Sequence, residues 1–184
     1  KDLEKSGFVF KLDFIIYVLL GILHNVGSKM EKLHSIDNKD NIQEAWRRLN
    51  DDVLDYVMNI MKSQAYIDHT KEINSVYALV PIIVYVYNKQ GQKLTHDEIK
   101  KIVKWFYYSQ IRQRYISQLP QKLDKDVNIV FTEGNPFDKL LNLIASERPL
   151  EISKDEFVGV DVRNALWGLM RFYFKSKQAV CLST

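Results

Sequence analysis

One cysteine in 184 residues, Cys181, excludes an intramolecular disulfide and any zinc site built on paired cysteines. Nothing therefore implies an oxidising compartment, and a reducing cytoplasm is the expected location. Seven glycines and four prolines are too few turn-formers for an all-β sandwich, which needs a turn signal every ~8–12 residues. The longest apolar runs, Phe14 to Leu23 and Val76 to Val86, fall short of the ~18 residues of a spanning helix. No membrane partner is expected, and no signal peptide is visible. The chain begins at Lys1 rather than Met, which fits a piece of a longer protein.

What is present is a globular composition: 46% hydrophobic, 12% aromatic and 27% charged. That length and composition suit a single domain spanning 1–184. The pattern is helical. Leu12, Ile15, Ile16, Leu19, Leu20 and Leu23 recur at helical spacing and predict a buried first helix. Asp40 with Gln43 has the form of a capping box before a long amphipathic helix on Ile42, Ala45, Trp46, Leu49, Val53, Tyr56, Val57, Ile60 and Met61. Asn74 or Ser75 is placed to cap a third helix running through Tyr87. Pro81 weighs against both helix and strand there, and helix is preferred.

Thr95 and Glu98 form a full capping box ahead of Ile99, Ile102, Val103 and Phe106. After Pro120, Leu123, Val127 and Val130 predict a short helical piece. Asn135–Pro136 opens another helix from Phe137 to Ile144. Ser153 and Glu156 make a third box ahead of a final helix on Val162, Ala165, Leu166, Leu169, Met170 and Tyr173. The expected fold is all-α, an irregular bundle of about six or seven helices.

Motifs for catalysis are missing. The histidines His24, His34, His69 and His96 show no metal-ligand spacing, and the glycines form neither a Walker loop nor a dinucleotide fingerprint. There is no nucleophile elbow. Two acidic clusters have the residue types of metal-dependent nuclease carboxylates, Asp124 with Asp126 and Glu151 with Lys154 and Asp155, but neither spacing is specific. Asp124 and Asp126 point about 200° apart on a helix, and the second cluster overlaps a capping signal. No catalytic residue, cofactor or metal is expected.

Charge is uneven. The chain has 26 cations and 23 acids, yet Lys100, Lys101, Lys104, Arg112, Arg114 and Lys122 fall in one stretch that contains no acid. Trp105, Phe106, Tyr107, Tyr108 and Tyr115 interleave with them. Cations that meet phosphates beside aromatics that stack on bases are the composition of many nucleic-acid surfaces. The expectation is a DNA-contacting surface of Lys100, Lys101, Lys104, Arg112, Arg114, Tyr115 and Lys122. The alternative is that these helices dock flanking domains or a second protomer, with exposed aromatics as anchors.

Several segments carry a family resemblance: Asn74-Ser75-Val76-Tyr77-Ala78-Leu79-Val80-Pro81-Ile82, Lys104-Trp105-Phe106, Arg114-Tyr115-Ile116-Ser117, Lys122-Leu123-Asp124-Lys125-Asp126 and Asn135-Pro136-Phe137. Together they resemble the helical region of the GmrSD-type restriction endonuclease family. Members are bacterial and archaeal defence proteins whose N-terminal ParB/sulfiredoxin-like domain carries an Asp-Gly-Gln-Gln-Arg motif linked to nucleotide hydrolysis. A His-Asn-His-type nuclease domain often follows, on the same chain or a partner. Here the Asp-Gly-Gln-Gln-Arg motif is absent, and Ile116-Ser117-Gln118 stands where many members have Ser-Gly-Ser. The resemblance therefore implies a helical region of a restriction or phage-defence protein, without the catalytic domain, whose partners are DNA and flanking nuclease or NTPase domains.

Overall fold

In the computed structural model, which describes residues 7–27, 29–33, 39–162 and 164–179, the chain is an irregular bundle of seven α-helices. They are α1 (Leu12–His24), α2 (Lys39–Arg48, continued without a break through Leu49–Val53 and Leu54–Gln64), α3 (Leu79–Asn88), α4 (His96–Ile111), α5 (Leu119–Thr132), α6 (Pro136–Glu147) and α7 (Ala165–Ser176). No strand occurs among the described residues, and none of these helices is long and apolar enough to cross a membrane. His34, Cys181 and the chain start at Lys1 lie outside the described residues.

The bundle is organised around α3. Every residue from Leu79 to Val86 is buried, so this helix is apolar on all sides and is enclosed by α1, α2 and α5. Pro81 sits in its first turn, where backbone N–H groups lack helical partners in any case, and so removes no ladder bond that an interior proline would. The predicted caps Asn74 and Ser75 do not close this helix with their side chains. A turn of 3₁₀ helix, Val76–Ala78, leads in, and Gln110 of α4 brackets the Ser75 backbone: its Oε1 accepts from the Ser75 N–H at 2.8 Å and its Nε2 donates to the Ser75 carbonyl at 3.1 Å.

Periodicity located the helices better than their inner faces. In α1 the buried residues are Phe14, Val18, Leu19, Leu20 and Gly21, while Leu12 is 75% exposed. In α2 the middle turn, Leu49–Val53, is a π turn, whose extra residue rotates the second half of the helix relative to the first. Ala45 faces inward before it, Leu49 and Val53 within it, and Leu54, Val57, Met58, Ile60 and Met61 after it, leaving Trp46 exposed. Beyond Pro120 the helix runs the full fourteen residues of α5, because proline is compatible with a first turn. The box at Ser153 and Glu156 opens only the 3₁₀ turn Lys154–Phe157. The last helix is instead capped by Asn164, which accepts from the Leu166 N–H at 2.9 Å, so Val162 lies outside it.

Close approach at two glycines fixes the α1 end of the bundle. A Cβ on Gly21 would sit 2.6 Å from Val84 of α3, and one on Gly27 would sit 2.5–2.6 Å from Cβ and the carbonyl carbon of Leu123 on α5. The Gly27 N–H also donates to Asp124 Oδ1 at 2.6 Å, so Asp124 ties the loop after α1 to α5. At the other end, the box at Thr95 is made as predicted, with Thr95 accepting from the Glu98 N–H and Glu98 from the Thr95 N–H. Glu98 also accepts from the Tyr85 hydroxyl at 2.6 Å and pairs with Lys89 at 2.7 Å. Burial alone would raise its carboxyl, but Lys89, Tyr85 and Thr95 outweigh that and hold it at about 2.

Gly27→Ala is expected to lower unfolding stability by about 1–3 kcal/mol in urea titration, since backbone rather than a movable side chain blocks the new methyl. Because Glu98 is held below its ordinary 4.5, its contribution is complete above that pH and is lost as pH falls toward about 2. Glu98→Gln should therefore flatten the loss of stability between those pH values, measured by thermal unfolding across the acid range.

Candidate interaction surface

The seven residues expected on one DNA-facing surface are divided by the fold into three groups. Arg114 and Tyr115, in the turn after α4, are in the interior. Lys101, Arg112 and Lys122 are half-buried and engaged with carboxylates. Lys100 and Lys104 are exposed on α4 and make no ion pair with a described residue.

The interior group forms a charged knot. Asp126 of α5 is completely buried; Arg114 Nε and Nη2 donate to its two oxygens at 3.0 and 2.7 Å, and the Tyr115 hydroxyl donates to Oδ2 at 2.6 Å. The remaining guanidinium nitrogen, Nη1, donates to Glu147 of α6 at 2.7 Å. Burial would lower the Arg114 pKa, but the paired carboxylates Asp126 and Glu147 reverse the direction and raise it. Tyr115 is pushed far up, by burial first and by the Asp126 charge second, so its proton stays on the phenol. Arg114 and Tyr115 are thus corrected from surface residues to core residues, and Asp126, set aside as a metal ligand on its helical spacing, is their acceptor. A bidentate, planar match satisfies charge that water cannot reach.

The second group is spent on neighbouring elements. Lys101 bridges Asp97 at 3.3 Å and Asp138 of α6 at 2.9 Å. Arg112 pairs with Glu156 at 2.6 Å and also donates to the Glu151 carbonyl, pinning the segment after α6 to the end of α4. Lys122 approaches Glu147 at 4.0 Å. A cation already held by a carboxylate in a fixed geometry has that partner to lose before it can meet a phosphate. Among the described residues no group of three His, Cys, Asp or Glu side chains is placed to hold a metal ion.

Aromatics follow the same division. Trp105, Phe106 and Tyr107 are buried: Trp105 packs on Phe137 at 5.6 Å, and the Tyr107 hydroxyl donates to the Ala65 carbonyl at 2.7 Å. Exposed rings occur instead on α7, which packs mainly on α4 through Leu169 and Phe172. Phe172 meets Tyr107 at 5.0 Å and Tyr66 at 5.6 Å, and two ion pairs, Arg171 with Glu72 and Lys175 with Asp68, clamp the helix sideways. That leaves Trp167, Met170, Tyr173 and Phe174 along the outer face at i, i+3, i+6 and i+7, with Trp167 39%, Tyr173 57% and Phe174 52% exposed. Val162, 72% exposed, borders Trp167. The sequence carried this signal as an α7 that is apolar over more than one stripe, wider than a helix lying on one neighbour requires.

Between α4 and α7 runs an open groove of about 380 Å³, floored by Ile99, Val103 and Tyr107 and walled by Leu169 and Phe172, with Tyr66 at one end. Lys100 and Lys104 stand on its α4 rim, and among the described residues no carboxylate lines it.

Asp126→Ala should cost about 3–5 kcal/mol in urea unfolding, because it strands the buried Arg114 charge, whereas Lys100→Glu and Lys104→Glu should each fall within about 0.5 kcal/mol of the parent. An Asp126→Ala protein as stable as the parent would show that the knot is not needed to hold α5 to the α4 turn. The chain matches no family model, no curated protein and no solved structure, so the resemblance to the GmrSD-type family rests on the residues quoted for it.

Proposed function

We propose that the chain is a non-catalytic interaction module, the helical part of a bacterial or archaeal restriction or phage-defence protein, that docks a second copy or a flanking nuclease or NTPase domain through the outer face of α7. The observation that carries this reading is the row of exposed rings, Trp167, Tyr173 and Phe174 with half-buried Met170 between them, on a helix packed on α4 through Leu169 and Phe172. Contiguous exposed aromatic surface is unusual on a monomer and is the composition of interface anchors. The defence setting comes from the resemblance alone.

A DNA-contacting role draws on Lys100 and Lys104, the two of the six cations that are exposed and make no ion pair with a described residue. Two phosphate contacts on duplex DNA give a log–log salt slope of about −1.8, against about −5 for the six-cation surface. Arg112 and Arg114 are poor probes of that role, since both hold the fold together.

Sedimentation velocity of the chain should show association that grows with concentration and holds between about 50 and about 200 mM salt, as an apolar contact does. Trp167→Asp combined with Phe174→Asp should abolish it while circular dichroism shows the helix content retained, Trp167 being 39% and Phe174 52% exposed. A chain that stays monomeric and binds labelled duplex DNA with a slope near −5 in fluorescence anisotropy would overturn the interaction reading in favour of the polyanion surface.

A further inference from the structure

The groove between α4 and α7 is separate from the outer face of α7, and its lining has a composition of its own. Ile99, Val103, Leu169 and Phe172 make it apolar, while its charged lining residues are Lys100 and Lys104. The nearest acids of α4 are turned elsewhere: Asp97 to Lys101 and Glu98 to Lys89 and Tyr85. Its α4 wall runs from His96 to Tyr108, which at 1.5 Å per residue is about 18 Å, or three helical turns. Lys100 and Lys104 are one turn apart, so their Cβ atoms stand about 5–6 Å from each other along the rim.

We propose that this groove is the docking site for an acidic amphipathic helix of a partner protein. This deepens the reading of the chain as an interaction module and places a second contact away from the outer face of α7. An apolar trough three turns long accepts the i, i+3/i+4, i+7 anchors of a helix laid into it. Carboxylates spaced four apart on that helix repeat the spacing of Lys100 and Lys104 and meet both at once. The volume of about 380 Å³ suits the side chains such a helix inserts rather than the helix itself. A nucleic-acid strand fits less well: Tyr66, Tyr107, Tyr108 and Phe172 line the groove, but its lining cations, Lys100 and Lys104, offer only two phosphate contacts, too few to carry the electrostatic part of strand binding.

The probe is a synthetic, fluorescein-labelled helical peptide of about fourteen residues with leucines at i, i+3, i+7 and i+10 and glutamates flanking them four apart. Three controls accompany it: the same peptide with lysine for every glutamate, the same peptide with serine for every leucine, and a single-stranded oligonucleotide of equal charge. By anisotropy at about 150 mM salt, the acidic peptide should bind the chain at least tenfold tighter than each control. Lys100→Glu with Lys104→Glu should weaken the acidic peptide at least tenfold and make the lysine peptide the better ligand. Both positions are exposed, and circular dichroism verifies that the variant keeps its helix content. Equal binding of acidic and basic peptides, indifference to the charge reversal, or an oligonucleotide that binds tighter than the acidic peptide would each overturn the proposal. Salt-insensitive self-association through Trp167 and Phe174 is measured without the peptide, so its survival or loss reports on the α7 reading separately.

Discussion

Asp126 has no exposed surface, and a carboxylate in that position is tolerable only if its charge is met on the spot. Arg114 meets it with two hydrogen bonds and Tyr115 with a third, and Arg114 reaches on to Glu147. Three segments are joined by this exchange: the turn after α4, the middle of α5 and the end of α6. The rest of the structure depends on it because the same turn determines where α4 ends and how α5 leaves it. Gln113 and Gln118, at φ 52° and 54°, carry the left-handed conformations that the reversal requires. An apolar replacement of the whole knot could stabilise as well, so its value lies in register: only one alignment of α5 puts Asp126 opposite Arg114.

The knot also bears on the function proposed for the chain. With Arg114 and Tyr115 in the core and Lys101, Arg112 and Lys122 paired to acids, the basic stretch of the sequence is largely a set of internal fastenings. Its acids come from elsewhere in the chain: Asp126, Asp138, Glu147 and Glu156 lie beyond the stretch and return to it through α5, α6 and the segment that follows. What reaches solvent is a pair of lysines beside an apolar groove and a row of rings on α7. That is a surface suited to proteins more than to a polyanion, since apolar area rather than a field of charge dominates it.

Many residues of the segments that carry the family resemblance lie in this same interior, while Lys104, Ile116, Ser117, Lys125 and Asn135 are exposed. Ser75 is bracketed by Gln110, Trp105 packs on Phe137, Tyr85 meets Phe137 edge-on at 5.2 Å, and Arg114 with Tyr115 grips Asp126. The quoted residues therefore describe a way of packing helices. The function proposed for the chain draws on exposed residues, of which Lys104 alone belongs to those segments.

Much of the architecture was legible from the chain in one dimension. Helix class, the box at Thr95, the prolines as helix-starters at Pro136 and the apolar α3 follow from local rules: periodicity, capping chemistry and a ring that fixes φ. The inner face of α2 was legible only in part: Ala45, Leu49, Val53, Val57, Ile60 and Met61 are buried as the period predicts, but the π turn at Leu49–Val53 shifts the phase, so that Leu54 and Met58 are buried too and Trp46 is exposed. The fate of the cations was not legible. Whether a lysine or arginine faces water depends on which acid the fold carries to it from twelve or more residues away, as Asp126 is carried to Arg114. The sequence by itself determined that this protein is a helical bundle with a basic, aromatic stretch; only the tertiary structure decided which of those residues are core, which are fastenings and which remain for a partner, because burial and ion pairing are properties of neighbours in space.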